Sequence, residues 1–270
     1  LDNVTLTPHM SGWTSGTVAR RQQTMAELVS QRGRVSVVEL AQAFDVTTET
    51  VRRDLSTLEG LGLIRRVHGG ALPPDSMTLL EARLSDRDLA NTVEKGEIAK
   101  AALAFVPSTA ATLILDAGST TVRLAEILPH DRQLTVFTHS VPVASRLAEQ
   151  SHIELHLLPG RVRRRTLAAV GVDTVAAVQR IRADVAFIGT NGISAFHGLS
   201  TPDHEEAATK SALIASAERV VVLCDSTKIG VDRTMQFAKL SDVDVLITDA
   251  QITDAQRAEI ESTGVEVVVA

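Results

Sequence analysis

The chain has 270 residues, 44% of them hydrophobic and only 3% aromatic, so a sizeable core must be built from Val, Leu, Ile and Ala. A single cysteine, Cys224, excludes an intramolecular disulfide framework and a Cys-clustered zinc site, and points to the cytoplasm. The net charge of −6 argues against a DNA partner only until it is localised: between Ala19 and Ala71 eight Arg face six acidic residues, a local excess of two positive charges. No apolar run reaches the roughly 18 to 20 residues that a membrane span needs, and no basic stretch followed by an apolar core marks a secretory signal, so no membrane partner is expected.

Residues 1–17 read as a leader that is disordered and inactive. They resemble the C-terminal catalytic segment of D-2-hydroxyacid dehydrogenases, with His9 after Thr7-Pro8 in the acid/base place. The matching nucleotide-binding domain is absent, and no Gly-x-Gly-x-x-Gly occurs, so no cofactor is expected.

Residues 18–72 read as one small domain. Met25, Leu28, Val29 and Arg32 recur at helical spacing, and Gly33 ends that helix. Ser36 with Glu39 three residues on is a capping box that starts a second helix, with Leu40, Ala43 and Phe44 on its buried side. Asp45-Val46 is a turn. Thr47 caps a third helix running to about Leu61, and Gly62 stops it. On a helical wheel Val51, Leu55 and Leu58 form the buried stripe, with Leu61 near its edge. Glu49, Arg53 and Ser56 fall opposite, Thr50 and Arg52 on the flanks, and Asp54 on a flank where it can pair with an Arg of a neighbouring element. Arginine bridges guanine O6 and N7, a carboxylate accepts from cytosine N4, and Thr47, Thr48 and the helix N-terminus suit phosphate oxygens. Leu63–Ala71 is a strand-forming segment carrying Arg65 and Arg66, with His68-Gly69-Gly70 as a wing tip. An isolated Arg-Arg pair usually marks only a solvated helix face. The short preceding helix, the tight turn and the basic strand together favour a nucleic-acid reader.

Phe44–Gly70 resembles the winged helix-turn-helix of the DeoR family of bacterial sugar-metabolism regulators. The match runs through Val46, Thr47, Thr50, Val51, Arg52, Arg53, Asp54 and Leu55. It continues with Leu58, Glu59, Gly62, Arg66, His68, Gly69, Gly70 and Ala71. Thr47 stands for the family's usual Ser and keeps the capping hydroxyl. The resemblance implies that the third helix reads double-stranded operator DNA with the wing beside it.

Residues 73–92 read as a linker and connecting segment, and 93–270 as an α/β domain. Strands are expected at 112–115, 134–137, 153–158, 185–188, 220–223, 243–248 and 265–269, and helices at 94–105, 121–128, 141–150, 173–180, 205–217 and 254–262. Apolar residues on both faces of several strands call for a mostly parallel sheet covered on both sides. Asp116-Ala117-Gly118-Ser119-Thr120-Thr121 follows the first strand and opens a helix, which suits an anion, although such turns often serve only as caps. Thr138, Arg161, Asn191 with Gly192, and Asp225 with Lys228 follow other strands, where ligands bind in open parallel sheets. Such a set suits a phosphorylated polyol, with Lys228 neutralising phosphate and Asp116, Asn191 and Asp225 bonding hydroxyls. The rest of the arginine run to Arg165 reads as a solvated face, with Arg161 able to reach the pocket. His204 beside Glu205 and Glu206 lacks metal-ligand spacing, so no metal is expected.

This half is similar to the same family's effector domain, whose fold resembles ribose-5-phosphate isomerase and the coenzyme A transferases. The matching segments are 116–121, 184–192, 198–201, Glu206-Ala207 with Lys210, and 225–228. His139 stands for the family's common Asn, and Pro159 for the first Gly of a Gly-Gly pair. Residues 198–203 look like fructose-operon members. The resemblance implies a homodimeric or homotetrameric repressor released from DNA by a phosphorylated sugar. The competing reading is a sugar-phosphate isomerase in the same pocket with Asp116 or Asp225 recruited as base.

Overall fold

The computed structural model describes residues 15–32, 35–67, 69–73 and 84–270. Most of the leader, including His9, and the wing residue His68 lie outside them. The chain divides into two compact units, Leu1–Thr78 and Leu79–Ala270.

In the first unit, α1 (Ser15–Arg32) begins within the segment expected to be a disordered leader. It is followed by β1 (Val35–Ser36), α2 (Val37–Ala43), α3 (Thr48–Gly60), β2 (Arg65–Val67) and β3 (Gly70–Leu72). The Ser36–Glu39 capping box forms at α2, and the Thr47 hydroxyl accepts the Thr50 N–H at 3.2 Å to cap α3. Asp45 takes a left-handed φ of 49° in the turn between the two helices. Gly62, at φ +70°, ends α3. Its N–H bonds the Glu59 carbonyl while the Leu63 N–H reaches back to Leu58, the paired bonds of a Schellman stop. Val51, Leu55 and Leu58 bury their stripe against Met25, Val29, Leu40 and Ile64. Fully burying each such side chain contributes roughly 1.5–3 kcal/mol. The strands form an antiparallel sheet in the order β1-β3-β2, so β2 and β3 are the hairpin of a wing.

The second unit opens with α4 (Leu84–Leu89) and α5 (Thr92–Ala102). Residues 84–92, placed in the linker by sequence, are therefore helix and turn of this unit. The chain continues through β4 (Ala111–Leu115), α6 (Ser119–Glu126), β5 (Leu134–Thr138), α7 (Val141–Leu147) and β6 (Ile153–Leu157). Next come β7 (Arg161–Arg163), β8 (Ala168–Val170), α8 (Val172–Val178), β9 (Ala183–Gly189), β10 (Gly192–Ser194) and β11 (Gly198–Thr201). The last elements are α9 (His204–Ala215), β12 (Ala217–Leu223), β13 (Met235–Ala238), β14 (Val245–Thr248), α10 (Asp254–Glu261) and β15 (Glu266–Val269).

All seven strands expected from sequence join one parallel sheet, ordered β15-β14-β12-β9-β4-β5-β6. Alternation along each strand feeds two cores. Ile114, Ala186, Val222 and Leu246 pack with Val178, Leu213 and Ile260 on one face. Leu113, Phe187, Val221 and Ile247 pack with Ile98, Leu124 and Val143 on the other. Strand order reverses at β4: β5 and β6 build outward on one side, β9, β12, β14 and β15 on the other. That makes the carboxyl ends of β4 and β9 the topological switch point, where such sheets leave a crevice for ligands. The antiparallel sheet β10-β11-β13 and the hairpin β7-β8 were not expected from sequence.

Candidate functional site

On α3, Thr47, Thr48, Glu49, Arg52, Arg53 and Ser56 are exposed and Thr50 is half-buried. The Arg53 side chain is 81% exposed, and Arg52 and Arg53 lie 3.7 and 3.8 Å from Glu49. Exposed pairs at that distance are weak and readily exchanged for a nucleic-acid partner. Asp54 is buried and occupied elsewhere. It accepts from Arg21 Nε at 2.7 Å and from Gln22 Nε2 at 2.8 Å, which pins α3 against α1. Arg66 on β2 donates to the Ser56 hydroxyl, and its N–H bonds Glu59 at 2.9 Å. Wing and helix thus form one surface, at the cost of tying up Ser56. Arg65 is exposed beside them.

The second site is a solvent-open cleft at the switch point. Gly118, Ser119, Thr120 and Thr121 line it at the start of α6. No side chain caps that helix. Its first-turn N–H groups and the positive end of its dipole suit an anion. Across the cleft stand Asn191, Lys210, Asp225 and Lys228, as expected, together with Arg87, Lys95, His139, Thr190 and Glu206.

Beneath the cleft, Asp116 is fully buried and joins three elements. One oxygen, Oδ2, accepts the Gly189 N–H at 2.8 Å and the Lys210 ammonium. The other lies 2.8 Å from His139 Nε2. Lys210 also donates to the Gly189 carbonyl at 2.9 Å, and His139 Nδ1 lies 2.8 Å from the Ala169 carbonyl. Burial pushes the Asp116 carboxyl up. Lys210 and His139 outweigh that and hold it well below the usual carboxylate range. Asp116 is therefore a fixed anion that positions Lys210. Glu206, also buried, accepts from Arg163 and from the Thr201 hydroxyl at 3.3 Å. Cys224 lines the cleft as an inert thiol, since burial and then the neighbouring Asp225 push its pKa far up.

Residues 21–77 match the DeoR-like helix-turn-helix domain, and residues 90–250 match the DeoR C terminal sensor domain. The chain belongs to the DeoR family of transcriptional regulators. It is 36% identical over 250 residues to the HTH-type transcriptional regulator GlpR of Haloferax volcanii, a match covering 93% of this chain and 97% of that one. It is 32% identical over 231 residues to the glycerol-3-phosphate regulon repressor of Escherichia coli K12, covering 86% and 90%. Among solved structures, ribose 5-phosphate isomerase A from Methanocaldococcus jannaschii is matched over 52% of this chain and 55% of that one, at 18% identity and a TM-score of 0.39.

Four expected effector residues do not line the cleft. Asp116, expected to bond ligand hydroxyls, lies beneath it with its oxygens taken by Gly189, Lys210 and His139. Thr138 is buried, with its hydroxyl donating to the Leu115 carbonyl at 2.7 Å and accepting the Ser140 N–H, so it joins β5 to β4. Gly192 sits where an added Cβ would meet the Val231 carbonyl at 2.3 Å, so its role is close strand approach. Arg161 is 64% exposed and pairs with Glu205. The arginine run is not a uniformly solvated face either: Arg163 is only 13% exposed and reaches Asp203 at 3.2 Å as well as Glu206. Two residues apart on β7, Arg161 and Arg163 share a strand face, and both meet acidic residues at the start of α9, Arg161 at Glu205 and Arg163 at Asp203 and Glu206. Sequence reasoning passed over Arg87 and Lys95 because both precede the first expected strand. The sequence signal that α9 faces the crevice was the family-typical Glu206-Ala207 with Lys210.

Proposed function

We propose that this protein is a repressor of a sugar catabolism operon, released from its operator when a phosphorylated sugar occupies the switch-point cleft. The observation that carries the reading is the uncapped N-terminus of α6 facing Lys228 and Lys210 across one cleft. Free N–H groups with two ammonium groups opposite suit a phosphate, and Thr190, Asn191 and Asp225 suit the hydroxyls of a polyol. Thr47, Thr48, Glu49, Thr50, Arg52, Arg53, Arg65, Arg66 and His68 contact the operator. A fructose phosphate is the first candidate effector, and a homodimer or homotetramer acting in the cytoplasm is the working form. The relatedness to a glycerol-3-phosphate regulon repressor supports a phosphorylated ligand and a negative effect on transcription.

The test is operator binding by the purified protein, followed by fluorescence anisotropy on a labelled fragment from its own gene neighbourhood while phosphorylated sugars are titrated in. A phosphorylated sugar that releases the fragment, when its unphosphorylated parent does not, is the expected result. Sustained turnover of pentose or hexose phosphates without any operator binding would instead favour the isomerase.

A further inference from the structure

Arg87 on α4 lines the cleft, and its Nε is buried with no hydrogen-bond partner among the described residues. A buried guanidinium N–H without an acceptor is unfavourable, and buried donors of this kind are nearly always satisfied. The neighbourhood shows what is missing. The Lys95 ammonium donates to the carbonyls of Arg87 and Ala90, clamping the end of α4 to the start of α5. Between them Asn91, which also lines the cleft, holds a left-handed φ of 51°. Arg123 on α6 pairs with the Asp88 carboxylate and donates to the Asp88 carbonyl at 3.1 Å and to the Ser119 carbonyl at 3.0 Å. The backbone beside Arg87 is thus tied directly to the first turn of the uncapped helix. The cation already in place there, Arg123, is spent on protein acceptors, whereas the Arg87 Nε has no acceptor among the described residues.

We propose that Arg87 is a ligand contact whose guanidinium grips the phosphate held at the start of α6, so that effector binding fixes α4. The inference rests on the sugar-phosphate reading above and deepens it. An arginine fork binds phosphate through two parallel N–H bonds, a geometry lysine cannot reproduce. In chain order α4 is the first described element after the DNA-reading unit. A ligand that grips Arg87 therefore acts on α4, whereas Lys210 and Lys228 belong to elements further along the chain.

Calorimetric titration of fructose 1-phosphate, fructose 6-phosphate and inorganic phosphate into the full chain and its Arg87→Lys, Arg87→Met and Lys228→Ala variants tests this, with the melting temperature checked for each. The expected result is binding to the unaltered protein, weakened about tenfold or more by Arg87→Met and weakened also by Arg87→Lys. Amide exchange across residues 87–95 slows when ligand is added to the unaltered protein and not when it is added at the same concentration to Arg87→Met. If the unaltered protein binds and Lys228→Ala weakens it while both Arg87 variants bind as tightly as the original, the Arg87 contact is overturned and the cleft assignment stands. Should none of the three probes bind the unaltered protein, the sugar-phosphate reading itself fails, and this inference with it.

Discussion

At the scale of single residues, the cleft is organised by a charge that touches no solvent. Asp116 is ionised because Lys210 and His139 face it, and the sign of its pH dependence follows. A carboxyl whose folded pKa lies below its unfolded value of about 3.9 contributes stability above that value and loses it as pH falls through the folded one. Acid titration of the melting temperature is therefore expected to show a loss of stability at low pH that Asp116→Asn flattens. Equal acid sensitivity in the two proteins would contradict the assignment. The substitution also leaves Lys210 buried opposite a neutral amide, and breaking such a pair typically costs about 3–5 kcal/mol, readable by denaturant unfolding. Lys228 is a different case, lying in the cleft with no buried partner among the described residues, so Lys228→Ala is expected to retain operator affinity and lose release by ligand. On α3, Arg53→Ala is expected to weaken operator binding by about 1–3 kcal/mol and to blur preference at one base pair, measured by competition with single-base operator variants. Asp116 and Lys228 were legible from their places after strands, and Lys210 only through the family resemblance. Sequence could not separate Arg161 from Arg163, because which of two like side chains turns inward is set by the partners that α9 brings across.

Among the elements, those whose own apolar pattern specifies them were legible, and those that depend on a neighbour were not. The seven strands of the parallel sheet are apolar on both faces, and α3 carries a cap, a stripe and a glycine stop within its own residues. The strands of the sheet β10-β11-β13 are three or four residues long. They hold together through pairings such as Ile193 with Leu199 and Leu199 with Ala238, which no local pattern announces. Helix α4 was read as linker for the same reason, since it is secured by Lys95, Arg123 and the Arg165 carbonyl from elsewhere in the chain and by burial of Leu84. For α3 the prediction is direct. Leu55→Ala removes a side chain with 1% exposure from the small unit's core, at a cost of about 2–5 kcal/mol. In a thermal scan with two transitions only the one assigned to the winged unit is expected to shift, and operator binding should fall with it. A shift confined to the other transition would place Leu55 in the wrong core.

For the whole molecule, the proposed function couples a polar helical face of the winged unit to the cleft of the sensor unit. Coupling between such sites is typically about 1–3 kcal/mol, a five- to 150-fold change in operator affinity. If the proposed operator contacts from Arg52, Arg65 and Arg66 neutralise phosphates, they release counterions, and binding should weaken steeply as salt rises, despite the chain's overall negative charge. The most direct measurement is anisotropy of a labelled operator fragment against protein concentration, at a series of salt concentrations, with and without a saturating sugar phosphate. The account predicts a linear fall of log affinity with log salt and a further loss of affinity when the phosphorylated sugar is present. Affinity that ignores salt, or that no sugar phosphate alters, would contradict it.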